Sequence, residues 1–101
     1  MSNKIYELEE LKQNISEVLK DYPVEYAVLF GSYVDGTADE KSDIDLVVEE
    51  NGKLIGFDFF GLRLDLEEKL EKEVDLIFNR TIIKDSRVDN EIKNTGVKIY
   101  G

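Results

Sequence analysis

Three short apolar runs constrain the fold of this chain more than any other feature. They are Tyr26–Phe30, Ile44–Val48 and Val74–Phe78. The first lies between Pro23 and Gly31, and runs of this length and composition are typical of buried β-strands. The remainder of the chain must therefore supply the elements that cover a small sheet.

Two longer segments have the periodicity of amphipathic helices. The first, from Lys4 to Tyr22 and ended by Pro23, has its apolar residues at Ile5, Leu8, Leu11, Ile15, Val18 and Leu19. The second, from Phe57 to Glu73, has them at Phe57, Phe60, Leu62, Leu64, Leu66 and Leu70. Helices that alternate with strands predict an α+β (α/β) fold with a small mixed sheet flanked by helices, and residues 1–101 have room for a single domain.

Three further segments receive structural interpretations. We interpret Phe57, Phe59 and Phe60 as core residues rather than as a platform for stacking a base. The acidic run is interpreted as a solvated helix face; its members are Asp65, Glu67, Glu68, Glu71 and Glu73. In the tail, Ile82, Ile83, Val88 and Ile92 indicate a weak helix, and Val97–Tyr100 an edge strand or a frayed end.

The chain contains neither cysteine nor histidine. Disulfides, thiolate metal sites and cysteine nucleophiles are excluded, and any metal must be held by oxygen, which favours Mg²⁺ or Mn²⁺ over zinc. A general base would have to be a carboxylate, a lysine or a tyrosine.

The net charge of −10 disfavours direct nucleic-acid binding, because the chain offers no basic stripe to a phosphate backbone. No apolar run has the length of a membrane span, and Met1–Lys4 lacks the apolar core of a signal peptide. We expect a cytoplasmic protein that does not associate with membranes.

Three polar features adjoin the predicted strands, and each also has an ordinary structural explanation. Gly31-Ser32 follows the first strand and suits a phosphate, although such a pair is more often a turn with a helix cap. Asp43 and Asp45 project to one face of the second strand and could share a cation, unless they belong to a solvated turn. Asp75 interrupts the third apolar run and could join them, unless it faces water from an edge strand.

The spacing of these features carries a resemblance. Gly31-Ser32 is followed by ten residues and then by Asp43-Ile44-Asp45, within the longer stretches Leu29–Ser32 and Ser42–Leu46. With the later Val74–Leu76, the pattern resembles the nucleotidyltransferase superfamily related to DNA polymerase β, and specifically its minimal nucleotidyltransferase (MNT) branch, over nearly the whole chain.

The resemblance implies a mechanism and a partner. It implies that Gly31 and Ser32 bind the triphosphate of ATP, that Asp43 and Asp45 ligate Mg²⁺, and that Asp75 completes the catalytic metal site and helps to deprotonate an acceptor hydroxyl. Small proteins of this branch are commonly antitoxins of HEPN-domain toxins. The resemblance therefore implies transfer of AMP to a tyrosine hydroxyl of such a toxin, in a hetero-oligomer.

One departure and two alternatives accompany this expectation. Many members of the branch have arginine where this chain has Asp35, before Gly36, which bears on nucleotide binding. A non-catalytic antitoxin that neutralises a HEPN ribonuclease by contact remains an alternative, since a strongly acidic surface could cover a basic one. Transfer to a small molecule such as an aminoglycoside is disfavoured, because the chain has no room for a second substrate domain.

Overall fold

The computed structural model describes residues 4–101 and contains a four-stranded sheet and four α-helices. In chain order the elements are α1 (Leu8–Leu19), β1 (Tyr26–Phe30), α2 (Ser32–Asp35), β2 (Ile44–Glu49), α3 (Phe57–Leu70), β3 (Val74–Phe78), a 3₁₀ turn (Asn79–Thr81), α4 (Arg87–Thr95) and β4 (Val97–Tyr100). The strand order is β3-β2-β1-β4; β2 and β3 are parallel, and the other pairs are antiparallel. The predicted α+β fold with a small mixed sheet flanked by helices is confirmed.

The hydrophobic core lies between one face of the sheet and the helices α1 and α3. Each helix contributes three fully buried residues at intervals of four, the spacing of one helical stripe. These are Leu11, Ile15 and Leu19 of α1 and Leu62, Leu66 and Leu70 of α3. They pack against the sheet residues Ala27, Leu29, Ile44, Leu46, Val48, Val74, Leu76 and Ile99.

The opposite face of the sheet carries the polar features. Side chains alternate along a strand, so with Ile44 and Leu46 in the core, Asp45 must project to the other side. Helix α4 contacts β1, and the turn at Gly96 lies close to the side chain of Val28, which alternates with core residues of β1.

The helix boundaries differ from those predicted, and local interactions explain the difference. The first helix begins at Leu8, where the side chain of Glu10 accepts a hydrogen bond from the amide of Glu7 at 3.2 Å. The second ends at Leu70, because Glu71 adopts a left-handed conformation with φ of 53°. The weak helix of the tail is confined to α4, and Val97–Tyr100 is an edge strand as predicted.

Within residues 4–101, no helix is long and apolar enough to cross a membrane. The expectation that Met1–Lys4 lacks a signal sequence falls mostly on residues 1–3, which lie outside the described part of the chain.

Candidate active site

The parallel pairing of β2 and β3 brings two of the predicted aspartates side by side. Asp45 and Asp75 are direct partners in the register, so their side chains project to the same face of the sheet. Asp43 precedes β2 by one residue, and the amide of Ile44 donates to the carbonyl of Glu73 at 3.0 Å. Asp45 is half-buried, whereas Asp43 and Asp75 are exposed.

Gly31 lies directly against the carboxylate of Asp45. A Cβ added at Gly31 would fall on Oδ2 of Asp45 and lie 3.1 Å from its Cγ. The backbone of Gly31 has φ of 80° and ψ of −151°, a conformation that essentially only glycine adopts. The close approach and the backbone conformation therefore both require glycine at this position.

Ser32 is the first residue of the short helix α2, and Gly31 occupies its N-cap position. The amides of Val34 and Asp35 donate to the carbonyl of Gly31 at 3.0 and 3.1 Å. These bonds fix the turn beside Asp45, so the Gly31-Ser32 turn and the two paired aspartates belong to one region.

The electrostatics of this region are those of crowded carboxylates. Burial and then repulsion from Asp75, Asp43 and Glu91 raise the pKa of Asp45 to about 6. A nearby cation would favour the charged form of Asp45 and remove this destabilisation. Sequence patterns did not single out Glu91, because α4 brings it to the site from a distant part of the chain.

The donor set suits a hard cation. Within residues 4–101, no group of three or more His, Cys, Asp or Glu side chains is placed so that it could hold a metal ion by itself. Mg²⁺ is usually held by only one or two carboxylates, and substrate phosphates and water complete its octahedral shell. The paired Asp45 and Asp75, with Asp43 beside them, fit such an open site, which a nucleotide would complete.

Several polar contacts hold the loop that leads into Asp43. Asp35 accepts hydrogen bonds from the hydroxyl and the amide of Thr37, and these bonds lower its pKa below the ordinary value. Lys72 is 3% exposed, and its Nζ donates to the carbonyl of Glu40 at 3.0 Å. Asp35 therefore stabilises the turn before Gly36. The role of Lys72 was not predicted from the sequence.

A cleft of about 390 Å³ adjoins Asp75 along the outer edge of β3. It is lined by residues 73–76 and by Asp43, Phe59 and Arg63. Sequence reasoning missed Arg63. The available signal was an isolated cation within the acidic segment of α3, four residues before Glu67.

The prediction that the aromatic residues of α3 belong to the core is wrong for two of them. Phe57 is 90% exposed and Phe60 is 56% exposed, whereas Phe59 packs against the core and its ring lies 4.7 Å from that of Phe78. Most of the acidic run is exposed as predicted, but Glu67 is half-buried and accepts a hydrogen bond from the amide of Val74 at 3.0 Å.

The chain is similar in sequence to known proteins. A family profile described as polymerase beta, nucleotidyltransferase, matches residues 13–101. A relative from Methanocaldococcus jannaschii, provisionally named protein adenylyltransferase MJ0435, is 40% identical over 88 residues, covering 83% of this chain and 92% of the relative.

Two solved structures share the fold. A chain in a crystal structure of a toxin-antitoxin with AMP-PNP superposes with a TM-score of 0.76 and 27% identity, covering 89% of this chain and 73% of that chain. A chain in a structure of the tri-AMPylated Shewanella oneidensis HEPN toxin with its MNT antitoxin has a TM-score of 0.70 and 23% identity. That match covers 92% of this chain and 71% of the other, and at this identity it supports the fold alone.

Proposed function

This chain belongs to the polymerase β nucleotidyltransferase family, and from that premise we propose that it is an antitoxin that transfers AMP from ATP to a hydroxyl group of a HEPN-domain toxin. The acceptor is a tyrosine, and the reaction depends on Mg²⁺. The catalytic residues are Asp43, Asp45 and Asp75, and Gly31 and Ser32 bind the triphosphate.

One observation carries this proposal. The glycine of the Gly31-Ser32 turn lies against the carboxylate of Asp45, which is the register partner of Asp75. Phosphate-binding backbone and metal-binding carboxylates are the two components that nucleotidyl transfer needs, because its transition state spreads negative charge over phosphate oxygens. A purely structural turn would not require a glycine in contact with a crowded carboxylate.

The residues divide the chemistry between them. The backbone at Gly31 and the hydroxyl of Ser32 orient the β- and γ-phosphates, so that the bond between the α-phosphorus and its bridging oxygen can break and pyrophosphate can leave. The acceptor oxygen forms the new bond to the α-phosphorus, and Asp75 accepts the hydroxyl proton. Bound Mg²⁺ would supply charge neutralisation to Asp43, Asp45 and the phosphates.

The names of similar proteins support the choice of nucleotide and acceptor. The M. jannaschii relative carries the name protein adenylyltransferase, and one structural neighbour is described with AMP-PNP, an ATP analogue. Another neighbour is a complex in which the HEPN toxin itself is AMPylated.

Label transfer tests the proposal. The purified chain is incubated with ATP labelled at the α-phosphate, Mg²⁺ and a candidate HEPN-domain toxin. Labelled tyrosine is located by peptide mapping. We expect label on the toxin with the intact chain and none with Asp43→Asn/Asp45→Asn. Asp21→Asn serves as the control, because this exposed aspartate follows α1 and lies apart from the site.

The same variants separate catalysis from neutralisation by contact. If the double variant still binds and neutralises the toxin, contact alone suffices. Loss of neutralisation with binding retained supports transfer of AMP. An unlabelled toxin in the presence of folded wild-type chain would reject the proposed reaction.

A further inference from the structure

The cleft beside Asp75 follows an open edge of the sheet. Strand β3 is the last strand in the order β3-β2-β1-β4, and within residues 4–101 no strand pairs with its outer side. The cleft extends along residues 73–76 of that edge, and Asp75 contributes to its lining. The cleft is therefore continuous with the proposed active site.

The order of the proposed functional groups across the sheet indicates which reactant would approach through the cleft. Gly31 follows β1, Asp45 lies on the central strand β2, and Asp75 lies on β3 beside the cleft. In an in-line displacement the attacking oxygen enters opposite the leaving group. If pyrophosphate leaves at the Gly31-Ser32 turn, the acceptor must approach from the outer side of Asp75, where the cleft lies.

The backbone of the edge can pair with an incoming chain. Because the amide of Ile44 donates to the carbonyl of Glu73, residues 73 and 75 point their backbone groups toward β2. Residues 74 and 76 therefore point theirs outward. The amide of Val74 already donates a hydrogen bond to the carboxylate of Glu67. The amide and carbonyl of Leu76 therefore face the cleft and are the groups with which a new strand would pair.

The side chains around the cleft suit a protein segment rather than a small molecule. Phe59 offers an aromatic wall, and Arg63 offers a half-exposed guanidinium whose contact with Glu67 is a long 3.7 Å. Phe60, three residues before Arg63 and therefore its neighbour on the helix surface, is 56% exposed. Large apolar side chains left exposed beside a cleft are typical of a contact surface for a macromolecule.

We propose that this edge cleft is the acceptor site, and that it takes an extended segment of the acceptor protein that pairs with β3 and brings a tyrosine hydroxyl to Asp75. Arg63 is a positioning residue that holds the acceptor backbone or its carboxylates. This inference rests on the proposed function for the chemistry of the acceptor, but pairing with β3 can be tested without catalysis.

The kinetic test uses Arg63→Glu and a matched reversal on the same helix, Lys69→Glu. Lys69 pairs with Glu17 on the side of α3 that faces α1, away from the cleft. With the HEPN-domain toxin as acceptor, we expect Arg63→Glu to raise KM for the toxin about tenfold while kcat and the affinity for ATP change less than about twofold. Lys69→Glu should leave all three unchanged. Equal effects of the two reversals would overturn the assignment of Arg63.

The structural test is hydrogen exchange in the Asp43→Asn/Asp45→Asn variant, which we expect to bind the toxin without turnover. We expect the toxin to slow exchange at the amide of Leu76 by about tenfold or more. The amides of β4, the strand at the opposite edge of the sheet, serve as the internal control and should keep their rates. Protection of β4 without protection of Leu76 would overturn the proposal.

The outcomes separate the two claims. If the wild-type chain labels no toxin, the proposed reaction fails, and exchange at Leu76 still decides whether the edge binds the partner. If the toxin is labelled but Leu76 remains unprotected, the reaction stands and the edge assignment fails. Labelling of N-acetyltyrosinamide as efficiently as the toxin would also overturn the requirement for an extended segment.

Discussion

Gly31 shows how closely one residue ties the local backbone to the site. Glycine is required at position 31 both by the positive φ and by the contact with Asp45. Gly36 provides a comparison, because it has a positive φ but no such contact. Gly36 has φ of 85° with open space around a hypothetical Cβ, whereas the Cβ of Gly31 would collide with a carboxylate. The two glycines flank α2 and therefore allow the effect of backbone strain to be distinguished from that of steric conflict.

We predict that Gly31→Ala lowers the free energy of unfolding by about 1–3 kcal/mol through backbone strain. It should also reduce AMP transfer by about a hundredfold, because Asp45 must move to make room. Gly36→Ala should cost about 1–2 kcal/mol with transfer nearly intact. Urea unfolding and label transfer provide the two measurements, and equal losses of activity in both variants would contradict the contact with Asp45.

Asp45 should make the stability of the metal-free protein depend on pH. Its pKa is raised from 3.8 to about 6 in the folded state, mainly by burial and then by Asp75 and Asp43. Because the pKa of Asp45 is raised, the folded state binds more protons than the unfolded state between pH 4 and pH 6. The contribution of Asp45 to the free energy of unfolding is therefore fully present below pH 4 and is lost as the pH rises through 6. Because solvent screens a partly exposed group, we expect a loss on the order of 1 kcal/mol.

The variant Asp45→Asn isolates this contribution. Without metal it should be more stable than the wild type at pH 7, and the difference should shrink to nothing near pH 4. Urea unfolding of both proteins at several pH values measures the difference, in which other titrating groups largely cancel. A difference that does not change with pH would show that Asp45 titrates normally.

At the scale of elements, α3 has a buried apolar stripe and an exposed apolar side, and its sequence pattern does not distinguish the two. Its buried stripe at Leu62, Leu66 and Leu70 holds the sheet, and Phe57 and Phe60 on the other side face solvent. The helical pattern contains more apolar residues than one buried face can hold. Exposed aromatic residues beside the β3 cleft are consistent with a surface that a partner covers.

We predict that Phe57→Ala changes the free energy of unfolding by less than about 0.5 kcal/mol, because the ring is 90% exposed. Leu66→Ala, on the same helix, should lower it by about 2–5 kcal/mol, since Leu66 is fully buried. Thermal or urea unfolding of the two variants gives the comparison. A large loss in Phe57→Ala would restore the interpretation of Phe57 as a core residue.

The strand boundaries were predictable where the helix boundaries were not, for a physical reason. A strand such as Tyr26–Phe30 is specified by a short apolar run between turn residues, and the observed β1 and β3 match the predicted runs residue by residue. The spacing of the motif also identified Gly31, Asp43 and Asp45 as candidate site residues. Arg63 and Glu91 escaped because only packing brings α3 and α4 to the site, and no local pattern in the sequence encodes that packing.

At the scale of the whole molecule, charge opposes the function that the site supports. The chain carries a net charge of −10, and its proposed substrate is a polyanion. Arg63 is an exception beside the site, and it lines the cleft proposed for the acceptor. In the proposed reaction, Mg²⁺ would have to offset both the repulsion among carboxylates and the repulsion between protein and nucleotide.

We predict that ATP binds only together with Mg²⁺. At a nucleotide concentration of 100 times Kd, Mg²⁺ and ATP should stabilise the wild type by about 2.7 kcal/mol, whereas ATP with EDTA should give little stabilisation.

The variant Asp43→Asn/Asp45→Asn distinguishes general charge repulsion from metal ligation, because it removes negative charge. If general repulsion alone limited binding, the double variant would bind ATP more tightly; if the carboxylates hold the metal, it loses the stabilisation. Calorimetric titration and thermal unfolding, each with and without Mg²⁺, measure the effect, and tighter binding by the variant would argue against metal ligation by Asp43 and Asp45.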